Sequence, residues 1–276
     1  MSREAPPIRL VVSDIDGTLV DKSKQVTPAT VAAVRRLEEA GIGFTVISAR
    51  PMSGIMPIAE KLAIDAPMAA FNGGIIFRRD GSIAEQHRVD AAVTRGVMGI
   101  AADSGADIWV FADDLWYAST DVGAHVDSER RASNQEPIVA DDFDALLDHA
   151  DKITFVSDDE AMLARLAERC KAAHGDDATI VQSQVYYLDV TARAANKGAG
   201  LVALAKTFDQ PLEAIAVLGD QYNDVPMLER AGLSVAMGNA PDPVKSIAHA
   251  VTSGNDADGV AHAIDTIIFP RIGAVA

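Results

Sequence analysis

Asp14 and Asp16 stand two residues apart where the apolar run Ile8 to Val12 should end, and Gly17-Thr18-Leu19 follows them. A strand repeats every two residues, so both carboxylates can point the same way. Two like charges held close are costly unless a cation lies between them or one is protonated. The pair therefore asks for a divalent metal, an acid–base role, or both. Taken alone, Asp-x-Asp-Gly-Thr also reads as an ordinary turn, because Asp and Gly supply turn geometry. Three further polar stations bear on that choice. Ser48 ends the apolar segment Gly43 to Ser48, with Ala49 and Arg50 after it. Lys197 opens a helical segment after Asn196. Gly219-Asp220-Gln221-Tyr222-Asn223-Asp224 carries the strand-like Ala214 to Gly219 into an acidic loop. Each has a bland reading of its own: a capping serine, a solvated lysine, a turn with an N-cap. All four in one order, each at a strand end or a helix start, are hard to explain as coincidence.

The elements that must carry these stations alternate. Ile8 to Ser13 is near-continuously apolar, as a buried strand of a parallel sheet is. Thr27-Pro28 gives an N-cap with Pro at the first helical position, and the amphipathic run Ala29 to Ala40 stops at Gly41. A second strand (43–48), a helix (53–62) and a third strand (67–71) follow, then the turn signal Asn72-Gly73-Gly74 and the segment 75–77. This rhythm predicts an α/β fold, a Rossmann-like parallel sheet with helices on both faces. The middle changes character. Residues 107–112 and 115–118 flank Asp113-Asp114 as a hairpin that holds both tryptophans. Strands are expected at 153–157, 179–182 and 185–190, and helices at 91–102, 142–150 and 160–173. The first rhythm then resumes, with helices at 198–207 and 225–231 and strands at 214–219 and 233–237, and the segments 241–250 and 260–268 close the chain. The expected organisation is a catalytic core of residues 1–82 and 192–276, interrupted by an inserted α+β cap at 83–191.

Composition narrows the classes. The chain has 276 residues, and 24 Lys and Arg stand against 40 Asp and Glu, a formal net charge of −16. A surface this acidic repels a phosphate backbone, so no nucleic-acid partner is expected. A phosphorylated small substrate would need local cations. Cys170 is the one cysteine. That excludes an intramolecular disulfide and a cysteine zinc site, and its helix-like surroundings point to packing. The six histidines show no metal-ligand spacing. The opening Met-Ser-Arg-Glu-Ala-Pro-Pro has no apolar leader core and no stretch reaches the length of a membrane span, which reads as a cytoplasmic protein without a membrane partner.

The four stations in this order resemble the haloacid dehalogenase superfamily of phosphatases, over nearly the whole chain. Asp14-Ile15-Asp16-Gly17-Thr18-Leu19 matches that family's first motif, Ser48 the second, Lys197 the third, and Gly219-Asp220-x-x-Asn223-Asp224-x-x-Met227 the fourth. The insert between the second and third motifs looks like the large α/β cap of the Cof-like subfamily, and Asn72-Gly73 resembles the step usual after the third strand there. Two departures stand out: Ser-Ala-Arg at 48–50 where Thr-Gly-Arg is common, and Leu188-Asp189-Val190 ahead of the lysine where a Glu is usual.

The resemblance implies a Mg2+-dependent hydrolase of phosphomonoesters, with a small sugar-type phosphorylated metabolite as substrate. Hydrolysis of a phosphate monoester calls for acceleration up to ~10²¹, or about 28 kcal/mol, which no single contact supplies. A carboxylate nucleophile splits the step through an aspartyl-phosphate. By resemblance Asp14 is that nucleophile and Asp16 the general acid–base. Mg2+ would be held by Asp14, the backbone carbonyl of Asp16, Asp220 and Asp224, the last as ligand or as orienter. Lys197, Ser48, the Ala49 N–H and Asn223 would hold the phosphate, and Arg50 would meet substrate. Tyr186, Tyr187 and Arg193 mark the far end of the insert. A phosphosugar mutase or a more specialised sugar-phosphate phosphatase of the same architecture fits the same residues. A signalling receiver, which also phosphorylates an Asp after a parallel strand, predicts half this length, no insert and no second acid. A binding module without catalysis sits badly with the intact set of Asp14, Asp16, Lys197 and Asp220. The oligomeric state is not legible from the chain.

Overall fold

The computed structural model describes residues 6–273. Residues 1–5, most of the opening segment read above for a leader, lie outside them. Along the chain come β1 (Leu10–Ser13), α1 (Pro28–Glu39), β2 (Gly43–Val46), α2 (Met52–Lys61), β3 (Met68–Ala70), β4 (Ile75–Phe77) and β5 (Ile83–Gln86). The middle holds α3 (Ala91–Ala101), β6 (Asp107–Ala112), β7 (Leu115–Ala118), α4 (Val126–Ser133), β8 (Ile138–Val139), β9 (Ala150–Val156), α5 (Glu160–His174), β10 (Ala178–Gln184) and β11 (Tyr187–Ala192). The remainder is α6 (Lys197–Thr207), β12 (Ile215–Gly219), α7 (Val225–Leu228), β13 (Leu233–Ala236), α8 (Asp242–Ile247), β14 (Ala250–Val251) and α9 (Gly259–Ala263).

β1 is wholly buried because it lies inside a five-stranded parallel sheet ordered β14-β13-β12-β1-β2. Its register sets Leu10 to Ser13 beside Ile215 to Leu218 on one side and Gly43 to Val46 on the other. The chain moves outward one way from β1 to β2 and the other way from β12 to β14. The reversal falls between β1 and β12, where an open α/β sheet forms its ligand crevice beyond the carboxyl ends. A parallel bridge between Ile47 and Ala69 carries the sheet on to an antiparallel meander of β3, β4 and β5.

The middle segment builds a separate mixed sheet of six strands, ordered β10-β11-β9-β6-β7-β8. Its alternation serves two cores. Val110, Ile153, Phe155, Leu188 and Val190 face α3 and α5 in one apolar cluster, where Cys170 is buried as packing. Trp109, Phe111 and Trp116 face the other way and join the core of the parallel-sheet half, with the Phe71 and Phe111 rings 5.7 Å apart. The α/β fold expected from the sequence is present, a parallel sheet flanked by helices with a mixed-sheet, cap-like region. One expected element fails. Residues 142–150 hold a single 3₁₀ turn, Asp144–Leu146, because the Asp142 carboxylate accepts from the Asp144 N–H and β9 begins at Ala150. Strands β5, β8 and β14 and helix α4 were not anticipated.

The turn after β3 is fixed against α6 at a glycine pair. Gly73 has φ +97°, and a Cβ there would sit 2.5 Å from the Gly200 Cα. Gly41 also has positive φ, +72°, but nothing lies within 4 Å of its Cβ position. Gly73→Ala is therefore expected to cost about 2–4 kcal/mol, strain plus overpacking. Gly41→Ala should cost about 1 kcal/mol, for strain alone. Urea unfolding of the two variants measures the difference.

Candidate active site

Four chain segments meet at the carboxyl edge of the parallel sheet. Asp14 is the first residue past β1, held to β12 by its N–H on the Leu218 carbonyl at 2.9 Å. Lys197 is the first residue of α6, whose N-cap Asn196 accepts from the Ala199 N–H at 2.9 Å. A lysine in the first turn faces the positive end of the helix dipole, so something else must favour it there. The Lys197 ammonium, 1% exposed, donates to the carboxylates of Asp14 and Asp224. The second oxygen of Asp224 accepts from the N–H groups of Asp220 at 2.8 Å and Gln221 at 2.9 Å, which shapes the loop past β12. Asp220 in turn accepts from the Thr18 hydroxyl at 3.3 Å and the Asn239 amide at 3.1 Å. Gly17, at φ +81°, lies so close to the Asp220 carboxylate that no side chain fits between them.

The charges in this cluster do not balance. Asp14, Asp220 and Asp224 bring carboxylate oxygens within 4.8 Å of one another, all three residues are buried, and one ammonium faces them. Burial raises the Asp14 carboxyl well above its ordinary range, and Asp224 and Asp220 add to the rise against the pull of Lys197. Burial and then the Asp224 charge push Asp220 up to about 7. Burial would lower the Lys197 ammonium, but the charges of Asp14 and Asp224 outweigh it and hold the group above the usual lysine value. Three carboxylates and one ammonium leave two negative charges uncompensated, and one divalent cation cancels them. The all-oxygen donor set suits a hard cation of the Mg2+ type.

Asp16 is held differently. Arg50 grips its carboxylate with two donors, Nε and Nη2, both at 2.7 Å, and the Lys24 ammonium adds a third at 2.6 Å. Burial alone would raise the Asp16 carboxyl, but the hydrogen bonds and charge of Arg50, then those of Lys24, hold it well below the usual carboxylate range. Ser48 is buried beside them, its hydroxyl accepting from the Arg50 N–H at 3.2 Å. The Ala49 N–H donates to no other described residue. The Asn223 amide donates to the Asn72 side chain at 3.3 Å, and Asn72 adopts the left-handed conformation with φ 58°.

One cavity of about 280 Å³ joins these groups: Asp14, Asp16, Ser48, Ala49, Arg50, Asp220 and Asn223 line it from the parallel-sheet half. Lys197 and Asp224 are buried beside Asp14, and Lys197 lines an adjoining cavity of about 200 Å³ that shares Gln221 and Asn223 with the first. All the residues singled out in the four motifs therefore come together at one edge. Tyr186 and Tyr187 reach the same cavity, whereas Arg193 is exposed and donates to the Asp176 carbonyl. Sequence reasoning missed Lys24, Thr18, Asn239 and, on the opposite wall, Glu129 and Lys152, which face the cavity beside Asp189. Only Thr18 carried a signal, its place in the first motif.

A carboxylate pair past the first strand, a buried lysine and an acidic loop around a cation-sized site define a metal-assisted phosphoryl-transfer hydrolase. The comparisons with known proteins agree. A family model described as haloacid dehalogenase-like hydrolase matches residues 11–264, and the chain belongs to that family. It is similar to Phosphatase YwpJ of Bacillus subtilis, 30% identical across 92% of this chain and 98% of that one. It is also similar to HMP-PP phosphatase of Citrobacter koseri, 28% identical across 90% of each. Among solved structures, a haloacid dehalogenase-like hydrolase from Bacteroides thetaiotaomicron superposes with a TM-score of 0.85 at 27% identity, covering 94% of this chain and 99% of that one. The protein is thus a phosphatase of the haloacid dehalogenase-like family, as its motifs led one to expect. Hydrolases of this family use a divalent metal. Among the described residues no helix is long and apolar enough to cross a membrane.

The charge imbalance makes a prediction that needs no substrate. A divalent cation at a hundred times its Kd should add about 2.7 kcal/mol of stability. That raises Tm by roughly 5–10 °C for a chain of this size. Asp220→Asn should lose most of the rise, which thermal unfolding with Mg2+ and with chelator would show.

Proposed function

We propose that the protein is a Mg2+-dependent phosphomonoesterase that acts on small sugar-type phosphates through an aspartyl-phosphate on Asp14. The observation that carries this reading is the placement of Asp14: bonded to a buried lysine, crowded by two further carboxylates, and open to the cavity. A carboxylate so placed has a reason to bind a cation and a direction in which to attack. Asp14, the Asp16 carbonyl, Asp220 and Asp224 would hold the Mg2+. Bound there, the ion supplies neutralisation of the charge that otherwise repels a phosphate dianion from Asp14. Both oxygens of Asp224 already accept hydrogen bonds, which favours its acting chiefly by orienting Lys197 and the Asp220 loop.

The chain's own groups then divide the work. Lys197, the Ser48 hydroxyl and the Ala49 N–H donate to the phosphoryl oxygens as charge shifts onto them. An Asp14 oxygen forms a bond to phosphorus as the ester oxygen leaves, and Asp16 gives that oxygen a proton. Asp16, now a carboxylate, takes a proton from water. The water oxygen bonds to phosphorus, the phosphorus–Asp14 bond breaks, and the free carboxylate returns. The fork of Arg50 and Lys24 on Asp16 suits the second, basic half. An arriving phosphate competes for the same two cations, and so loosens Asp16 for the first, acidic half. Arg50 thus serves through Asp16, while its flank on the cavity leaves it in reach of substrate. Residues 83–191 would act as the cap over a core of residues 1–82 and 192–276, excluding water and meeting the leaving group. The mixed sheet between them, which supplies the opposite cavity wall, supports that division.

Phosphate release from a panel of phosphomonoesters, with Mg2+ and with chelator, tests the reading. Release should need the metal, and Asp14→Asn should lower it at least a thousandfold. Asp16→Asn should turn over at least a hundredfold more slowly. Wild-type rates from Asp14→Asn protein would remove Asp14 as nucleophile.

A further inference from the structure

We propose that Asn72 is a positioning residue: it holds the Asn223 amide so that the second N–H of that amide faces the phosphoryl group. The proposal rests on the phosphatase reading above and deepens it. It starts from a strained turn. Phe71, Asn72 and Gly73 have φ of 47°, 58° and 97°, positive values in succession. Residues other than glycine enter this region at a cost, and such backbone persists only where its surroundings fix it. The surroundings here are the other motifs. The Phe71 N–H donates to the Arg50 carbonyl at 3.0 Å, and the Asn72 N–H to the Ser48 carbonyl at 2.7 Å. Gly73 abuts Gly200 of α6, the helix that Lys197 opens. The Asn72 side chain, on a residue 7% exposed, accepts from the Asn223 amide at 3.3 Å. One turn thus ties the loop of Ser48 to the helix of Lys197 and to the loop of Asn223.

The turn itself does not need a side chain at position 72. Glycine adopts positive φ freely, and the chain places glycine at 73 and 74. What asparagine adds is a carbonyl oxygen, and that oxygen goes to Asn223. The two cavities show which way the influence runs. Asn223 lines both the active-site cavity and the adjoining one, whereas Asn72 lines only the second of the two. Asn72 therefore stands behind Asn223 and acts through it, without touching substrate. A carboxamide carries two N–H donors and one oxygen. With one N–H committed to Asn72, the other is left for a phosphoryl oxygen. Without that anchor the Asn223 amide can turn over and present its own oxygen to the phosphate, which repels it. The contribution is to binding more than to the chemical step. The phosphoryl oxygens are present in the ground state and the transition state alike, so loss of the alignment raises KM and largely spares kcat.

Kinetics of the full-length protein with p-nitrophenyl phosphate and Mg2+ test this. Asn72→Gly leaves the backbone free to make the turn and removes the oxygen. It should raise KM, and the inhibition constant of inorganic phosphate, about tenfold, with kcat kept within about threefold. Asn223→Ala should do the same. The double variant should be no weaker than Asn223→Ala alone, because Asn72 has then lost the group it acts through. Asn72→Asp keeps an oxygen acceptor and tolerates the same φ, so it should recover most of the loss in KM. Losses that multiply in the double variant, a KM unmoved by Asn72→Gly, or a fall in kcat alone would overturn the positioning role while the phosphatase reading stands. Should thermal unfolding show Asn72→Gly to be misfolded, Asn72→Asp decides: a KM raised as far as in Asn223→Ala would overturn the role. Absence of Mg2+-dependent phosphate release from the wild-type protein would overturn both.

Discussion

The site depends on one ammonium that is outnumbered. Lys197 is buried among Asp14 and Asp224, with Asp220 alongside. Two carboxylates against one lysine would already be poor electrostatics in a dry interior; three are tolerable only if a further positive charge is expected. The arrangement is thus incomplete in a defined way. It lacks two positive charges, and burial first, then the neighbouring carboxylates, raise the Asp14 and Asp220 carboxyls. An enzyme that must bring a phosphate dianion up to a carboxylate needs that deficit, because it draws the cation that makes the approach feasible.

The fold supplies the deficit through topology rather than through any single helix. Asp14 and Asp220 follow neighbouring parallel strands in register, so their side chains leave the sheet at the same edge. Ser48 arrives from the strand on the other flank, and Lys197 from a helix that the Gly73–Gly200 contact presses against the turn after β3. Asp224 closes the arrangement by accepting from Asp220, Gln221 and Lys197 together. Removing the strand order would scatter these groups, which is why segments 14–16 and 219–224 share a site from more than 200 residues apart.

That convergence was legible in the sequence because each station falls at the end of an apolar run or the start of a helix, positions that local pattern can read. What stayed hidden depended on partners chosen across space. Lys24 reaches Asp16 from a loop residue with φ 61°, and nothing local announces it. α4 escaped for a sharper reason. Its buried positions, Val126, Glu129 and Ser133, keep helical spacing, but two of the three are polar. A periodicity search rejects such a helix because it looks for apolar residues on the inner face. Rule-breaking of this kind is expected where a fold has been bent to bind something. The opposite error, a helix drawn over 142–150, came from composition with too few buried positions to pay for it.

The two cavity walls solve opposite problems with the same currency of buried charge. On the parallel-sheet side almost every polar atom is committed: Asp224 accepts three bonds, Asp16 three, and Lys197 is shared between two carboxylates. Groups held on all sides cannot adapt, which fits them to a phosphoryl group that never varies. On the mixed-sheet side the Tyr187 hydroxyl is buried without a bonded partner, so it answers to whatever the cavity admits. Rigid preorganisation gives rate, since donors need no rearrangement as charge develops. Unsatisfied groups give discrimination, since the wrong ligand leaves them unpaired. Placing the two kinds on different sheets lets one change while the other is kept.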